Sequence, residues 1–132
     1  MSKIVDSLPP GTIFVFGSNL AGRHGKGAAL TARKNFGAVS GVGIGPTGQS
    51  YAIPTKDAQL NPLPLHRIGL YISGFLNYAW ERPEASFYVT AIGTGLAGYT
   101  HAQIAPMFFN HPGNCLLPDE WDEYLDALLL FR

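Results

Sequence analysis

Charge and cysteine are both scarce in this sequence, and each scarcity excludes something. Only 14% of the 132 residues are charged, and nine basic side chains balance nine acidic ones. With no net charge there is no diffuse field to gather nucleic acid or an anionic membrane, so nucleic-acid binding is not expected except as a modified substrate. Any phosphate must then be held by local geometry. The single Cys115 cannot form an internal disulfide, and among the apolar residues of 114–117 (NCLL) it reads as an inert core thiol. His66 and His111 lack partners at ligand spacing, so no metal is expected. No apolar run is long enough to span a membrane, and the opening MSKIVDSLPPGT has no signal-peptide core. These absences point to a cytoplasmic protein without a membrane partner.

What is present is the material of one globular domain over residues 1–132. Hydrophobic residues make up 46% of the chain, enough for a packed core. Sixteen glycines and ten prolines stay below the level that argues for low complexity and read as loop chemistry inside a fold. Residues 12–16 (TIFVF) form a β-branched and aromatic run that fits a strand buried on both faces. A glycine-rich loop follows (GSNLAGRHGKG, 17–27), then a helical stretch that Gly37 stops. Residues 38–48 have turn residues throughout and no sustained period, and 49–53 (QSYAI) read as a second strand ending at Pro54.

Asn61 can cap a helix in which Leu65, Ile68, Ile72, Phe75, Leu76 and Ala79 recur at three- and four-residue steps, ending near Arg82-Pro83. Residues 86–92 (SFYVTAI) form a third strand entering a second glycine loop, GTGLAG (93–98). Thr100 with Gln103 is a capping-box pattern opening a helix over 104–109. Residues 114–117 read as a fourth strand, and 119–131 as a closing helix with Trp121, Tyr124, Leu125 and Leu128 on one face. Strands alternating with helices imply an α/β sheet covered on both faces.

The unit of strand, glycine loop and helix occurs twice. In open α/β sheets ligands bind beyond the carboxyl ends of strands, so both loops are expected on one rim. Glycine lets backbone amides approach a ligand closely, and the free N–H groups of a following helix favour an anion. Lys26 is followed by Gly27 rather than a hydroxyl residue, so neither loop is a Walker A motif. Gly93, Gly95 and Gly98 do satisfy G-x-G-x-x-G, with Asp119 about 20 residues on. That spacing keeps a nicotinamide-dependent oxidoreductase open as one reading.

Together, GSNLAGRHGKGAA and AIGTGLAG resemble the two ligand loops of macro domains, across roughly residues 12–109. The resemblance implies a three-layer α/β/α fold that binds ADP-ribose or a related nucleotide. Ser18, Asn19, Gly25, Lys26 and Gly27 would then lie near the distal ribose. Ile92, Gly93, Thr94, Gly95, Leu96, Ala97 and Gly98 would cradle the diphosphate, with Tyr99 free to stack on a base or sugar. One macro-like branch of glycohydrolases carries its lysine in a context similar to YAIPTK, which points to Lys56 as a catalytic residue, with Asp57 beside it in the acid role; His24, inside the first loop, is a separate candidate to hydrogen-bond a ribose hydroxyl or to act as acid or base. That branch has an aspartate where this chain has Ala97. The expected functions are therefore hydrolysis of an ADP-ribosyl bond, or binding of an ADP-ribose-containing signal without turnover, with no cofactor. His101, beside the second loop, is expected as a surface residue.

Overall fold

The computed structural model describes residues 5–129, and among these the chain forms a five-stranded mixed sheet with four α-helices. The strands β1 (Thr12–Asn19), β2 (Gly45–Thr47), β3 (Ser50–Lys56), β4 (Ser86–Val89) and β5 (Cys115–Leu116) lie in the order β2-β3-β1-β4-β5. β1 pairs in parallel with β3 and β4, β4 pairs in parallel with β5, and β2 closes the other edge as an antiparallel hairpin on β3. The helices are α1 (Gly27–Asn35), α2 (Leu65–Trp80), α3 (His101–Ile104) and α4 (Asp122–Leu129). A parallel strand needs a crossover, and α1 and α2 are the long ones.

Alternation along β1 divides the core. Phe14 and Phe16 join Phe36, Ala29 and Ala32 of the α1 side, where the rings of Phe14 and Phe36 stack 4.5 Å apart. Val15 points the other way, into Ile68, Ile72 and Phe75 of α2, with Phe108 and Trp121 beyond. Both faces of the central strand are thus covered, as the unbroken apolar run implied.

Several boundaries moved, each for a local reason. β3 does not stop at Pro54. It continues to Lys56, and the register slips beside the proline, with Ser18 opposite Pro54 and Asn19 opposite Lys56. Proline removes one ladder donor, and a bulge is where a sheet tolerates that loss. Asn61 does not cap α2. Its N–H donates to Asp57 Oδ1 and its carbonyl accepts from the Asp57 N–H, while Pro62 bridges back to Lys56. The helix therefore starts only at Leu65, behind Pro64 in an extended conformation. The third strand ends at Val89 rather than residue 92, where Thr90 Oγ1 and the Thr90 N–H both donate to the Val15 carbonyl.

The capping box at Thr100 and Gln103 forms with both reciprocal bonds. Its helix is a single α turn continued as a 3-10 turn over Ala105–Phe108, because Pro106 cannot donate into the helix ladder. The last helix opens as a 3-10 turn over Asp119–Trp121, and Trp121 is fully buried. Its expected continuation to Phe131, and the side chain of Leu128, lie outside the described residues.

Residues 38–48 contain more than turns. They form β2 and a stretch pressed against the first glycine loop: Gly41 N–H donates to the Gly22 carbonyl. A Cβ at Gly43 would stand 2.0 Å from the Asn19 carbonyl oxygen, and one at Gly22 2.4 Å from the Gly41 backbone. Only glycine allows this approach, at Gly22 also because its φ is +70°. Cys115 is buried as expected, and burial pushes its thiol up to about 12, so it carries no thiolate near neutral pH.

Candidate functional site

Parallel strands bring their carboxyl ends to one edge, and the two glycine loops leave adjacent strands there: the first continues β1, and the second follows β4. Between them opens a cleft of about 710 Å³. Both loops line it, joined by the end of β3 and the turn after it. The loops meet at Gly17, whose missing Cβ would stand 3.6 Å from both the Gly93 nitrogen and Thr55 Oγ1.

The first loop is shaped by Asn19. Its side-chain carbonyl accepts from the Arg23 N–H at 2.9 Å and its amide donates to the Arg23 carbonyl at 2.8 Å, pinching residues 19–23 into a closed turn. Asn19 is 5% exposed and lines the cleft with Ser18, Gly25, Lys26 and Gly27. The chain then enters α1 with no side-chain cap on the helix and no acidic residue in its first turn. The first bond back toward the loop is from Leu30 N–H to the Lys26 carbonyl. Gly27, Ala28 and Ala29 therefore present the N–H groups that every helix start leaves without intrahelical acceptors, and all three residues line the cleft.

The second loop is tied by its own backbone. Thr94 donates twice to the Ala91 carbonyl, Gly98 N–H donates to Gly95, and Tyr99 N–H to Gly93. Among the described residues, none of these bonds uses the N–H of Gly95, Leu96 or Ala97, and those three residues line the cleft with Ile92 and Gly93. Gly93 adopts a φ of +76°, and a Cβ there would press on Ile104 at 3.0 Å. Gly95 has no positive φ and nothing within 4 Å of where a Cβ would stand. The first of these two glycines is required by the fold, whereas the second is not.

Lys56 ends β3, half-buried, on the cleft wall. With Arg23 and Lys26 it makes three cations among the lining residues, and no carboxylate is among them. The local field is thus positive although the chain is neutral overall, a feature that counting charges along the sequence does not reveal.

Other expected site residues stand elsewhere. Asp57 is not on the lining, and its Oδ1 accepts from the N–H groups of Gln59 and Asn61, at 2.9 Å each, holding its own turn together. Thr94 and Gly98 shape the second loop from behind. Tyr99 turns away from the cleft: it packs against the α2 side of the core and its hydroxyl donates to the Leu63 carbonyl. His24 drops beneath the first loop, 3% exposed, edge-on to Phe16 at 5.2 Å. Its Nε2 lies 3.4 Å from Ser18 Oγ, while Nδ1 has no hydrogen-bond partner among the described residues. Burial first, and then the Arg33 guanidinium, pull its pKa below the usual histidine value. His101 is not a bystander on the surface, since its Nδ1 accepts from the indole N–H of Trp121 at 3.0 Å and ties α3 to the last helical segment.

Sequence reading missed Leu60. It lines the cleft from the turn after β3 and is the one non-glycine residue with positive φ, +68°, among those described. A backbone angle of this kind leaves no trace in composition or spacing. Among the described residues no group of three or more histidine, cysteine, aspartate or glutamate side chains is placed to hold a metal ion, and no helix is long and apolar enough to cross a membrane. In comparison with known proteins, no family model matches this chain, and neither a curated protein nor a solved structure matches it.

Proposed function

We propose that the cleft binds a nucleoside diphosphate sugar of the ADP-ribose type, in a macro-domain-like α/β/α arrangement. The observation that carries this reading is convergence. The uncapped start of α1 and Gly95, Leu96 and Ala97, whose amides are unused, line one cleft together with three cations and no carboxylate. Oriented N–H groups and positive charge around a volume of this size suit a ligand with two linked phosphates. A monophosphate uses only one of the two loops.

Binding without turnover is favoured over hydrolysis by two features. Asp57, the nearest carboxylate in sequence to Lys56, has an oxygen committed to its own turn, and Ala97 offers no acid. The oxidoreductase reading loses support, because the helix after Gly93, Gly95 and Gly98 has only four residues and Asp119 does not line the cleft.

Calorimetric titration with ADP-ribose, NAD and AMP tests this. ADP-ribose is expected to bind at least tenfold more tightly than AMP, about 1.4 kcal/mol. Failure of both to bind at millimolar concentration removes the reading, and binding of NAD(H) alone restores the oxidoreductase. Release of ADP-ribose from ester-, nucleobase- or phosphate-linked substrates, abolished in Lys56→Ala while ADP-ribose still binds, establishes a hydrolase instead.

A further inference from the structure

Leu60 is held in a conformation that L-residues with a branched side chain avoid. Its φ of +68° places it in the left-handed region, where glycine, asparagine and aspartate are at ease and leucine is strained. The turn leaves it no choice. Asp57 Oδ1 accepts from the N–H groups on either side of Leu60, at Gln59 and Asn61, the Leu60 N–H donates to the Asp57 carbonyl, and the Asp57 N–H closes the turn onto Asn61. A glycine would satisfy the same backbone.

The leucine side chain does not repay this strain inside the fold, because it is 40% exposed and belongs to neither hydrophobic core. Across the cleft, Leu96 on the second loop is 68% exposed. The two leucines follow β3 and β4, the neighbours of β1 on opposite sides, so they stand on opposite walls of the cleft that both line. Strained backbone held by its surroundings clusters at ligand sites, and two exposed apolar side chains on the lining of a cleft read as anion-binding match a ligand that is charged in the middle and apolar at one end.

We propose that Leu60 and Leu96 are a pair of apolar jaws that grip a planar, uncharged ring carried on the same ligand as the phosphates, and that they set the preference for ring-bearing over ringless ligands. This rests on the phosphate-binding reading of the cleft. The ring is the base of the nucleotide or a second ring attached at the sugar end, and the chemistry of the grip is shared: a flat face against leucine methyl groups.

Three probes separate the outcomes: inorganic pyrophosphate without a planar ring, ADP-ribose with one uncharged ring, and NADH with two. They are titrated into the wild type, Leu60→Gly, Leu60→Asn and Leu96→Ala. The variants are expected to lose at least fivefold in affinity for ADP-ribose, while the pyrophosphate affinity of the two Leu60 variants changes less than twofold. A loss confined to NADH assigns the jaws to the second ring. The ligand-free melting temperature of Leu60→Gly and Leu60→Asn is expected to equal or exceed that of the wild type, because both residues accept the left-handed angle. Ring ligands bound equally by the wild type and all three variants overturn the jaws while leaving the phosphate site standing. A clear fall in melting temperature in both Leu60 variants also overturns them, by showing that the leucine serves the fold. A wild type that binds none of the probes removes the phosphate reading and the jaws with it.

Discussion

At the residue scale the buried histidine has the clearest consequence. His24 lies under the first loop, with burial and Arg33 holding its pKa below the ordinary 6.5. In the unfolded chain the imidazole takes up a proton as the pH falls through about 6.5, whereas the folded protein resists it. The unfolded state then binds more protons, so stability declines as pH drops below that value until the folded group also titrates. Thermal melts from pH 8 to pH 5 are expected to show this decline, and His24→Gln is expected to flatten it. Parallel profiles for the two proteins would show that the ring titrates freely in the folded state. The sequence placed His24 in the right loop but on the wrong side of it. Its neighbours Arg23 and Gly25 are exposed, and which way the ring between them turned was decided by the apolar space beside Phe16.

At the scale of elements, the second loop shows which glycines serve the backbone and which serve the cleft. Gly93 and Gly98 need positive φ, and Gly93 is also crowded by Ile104. Gly95 needs neither space nor an unusual angle, so Gly95→Val is expected to fold normally while placing a branched side chain at the amides proposed to hold phosphate. Affinity for ADP-ribose should fall at least tenfold, about 1.4 kcal/mol, with an unchanged melting temperature for the ligand-free protein. Undiminished affinity in the folded variant would take the second loop out of the site. The first loop rests instead on a segment from outside itself, with Gly41 and Gly43 packed beneath Asn19 and Gly22. Residues 38–48 looked structureless because contact between two irregular stretches carries no period along the chain.

At the scale of the whole molecule, neutrality conceals a separation. Six of the nine cations precede residue 67, and seven of the nine carboxylates follow it. Folding concentrates three of those cations on the cleft lining. Binding of a doubly charged ligand is therefore expected to weaken several-fold between about 50 mM and 500 mM salt, as the screening length shortens. The same titration with Lys26→Gln should show a shallower dependence. Salt-independent affinity would mean that the cations stay solvated and only the amides hold the ligand.

The α/β character, the buried central strand, the amphipathic α2, the Thr100 capping box and the placement of both glycine loops at strand ends were all legible in the sequence. Each is set by local propensity, by hydrophobic period or by the rule that ligand loops follow parallel strands, and such information lies along the chain. The antiparallel hairpin partner β2, the continuation of β3 through Pro54, the inward turn of His24, the packing of Tyr99 against the core, the self-contained Asp57 and the strained Leu60 were decided only by tertiary structure. They depend on what lies opposite a residue in space: a neighbouring strand that accommodates a bulge, a glycine that permits close approach, an apolar hollow, or a turn whose hydrogen bonds fix a dihedral angle. Spacing in a single sequence does not record those distances.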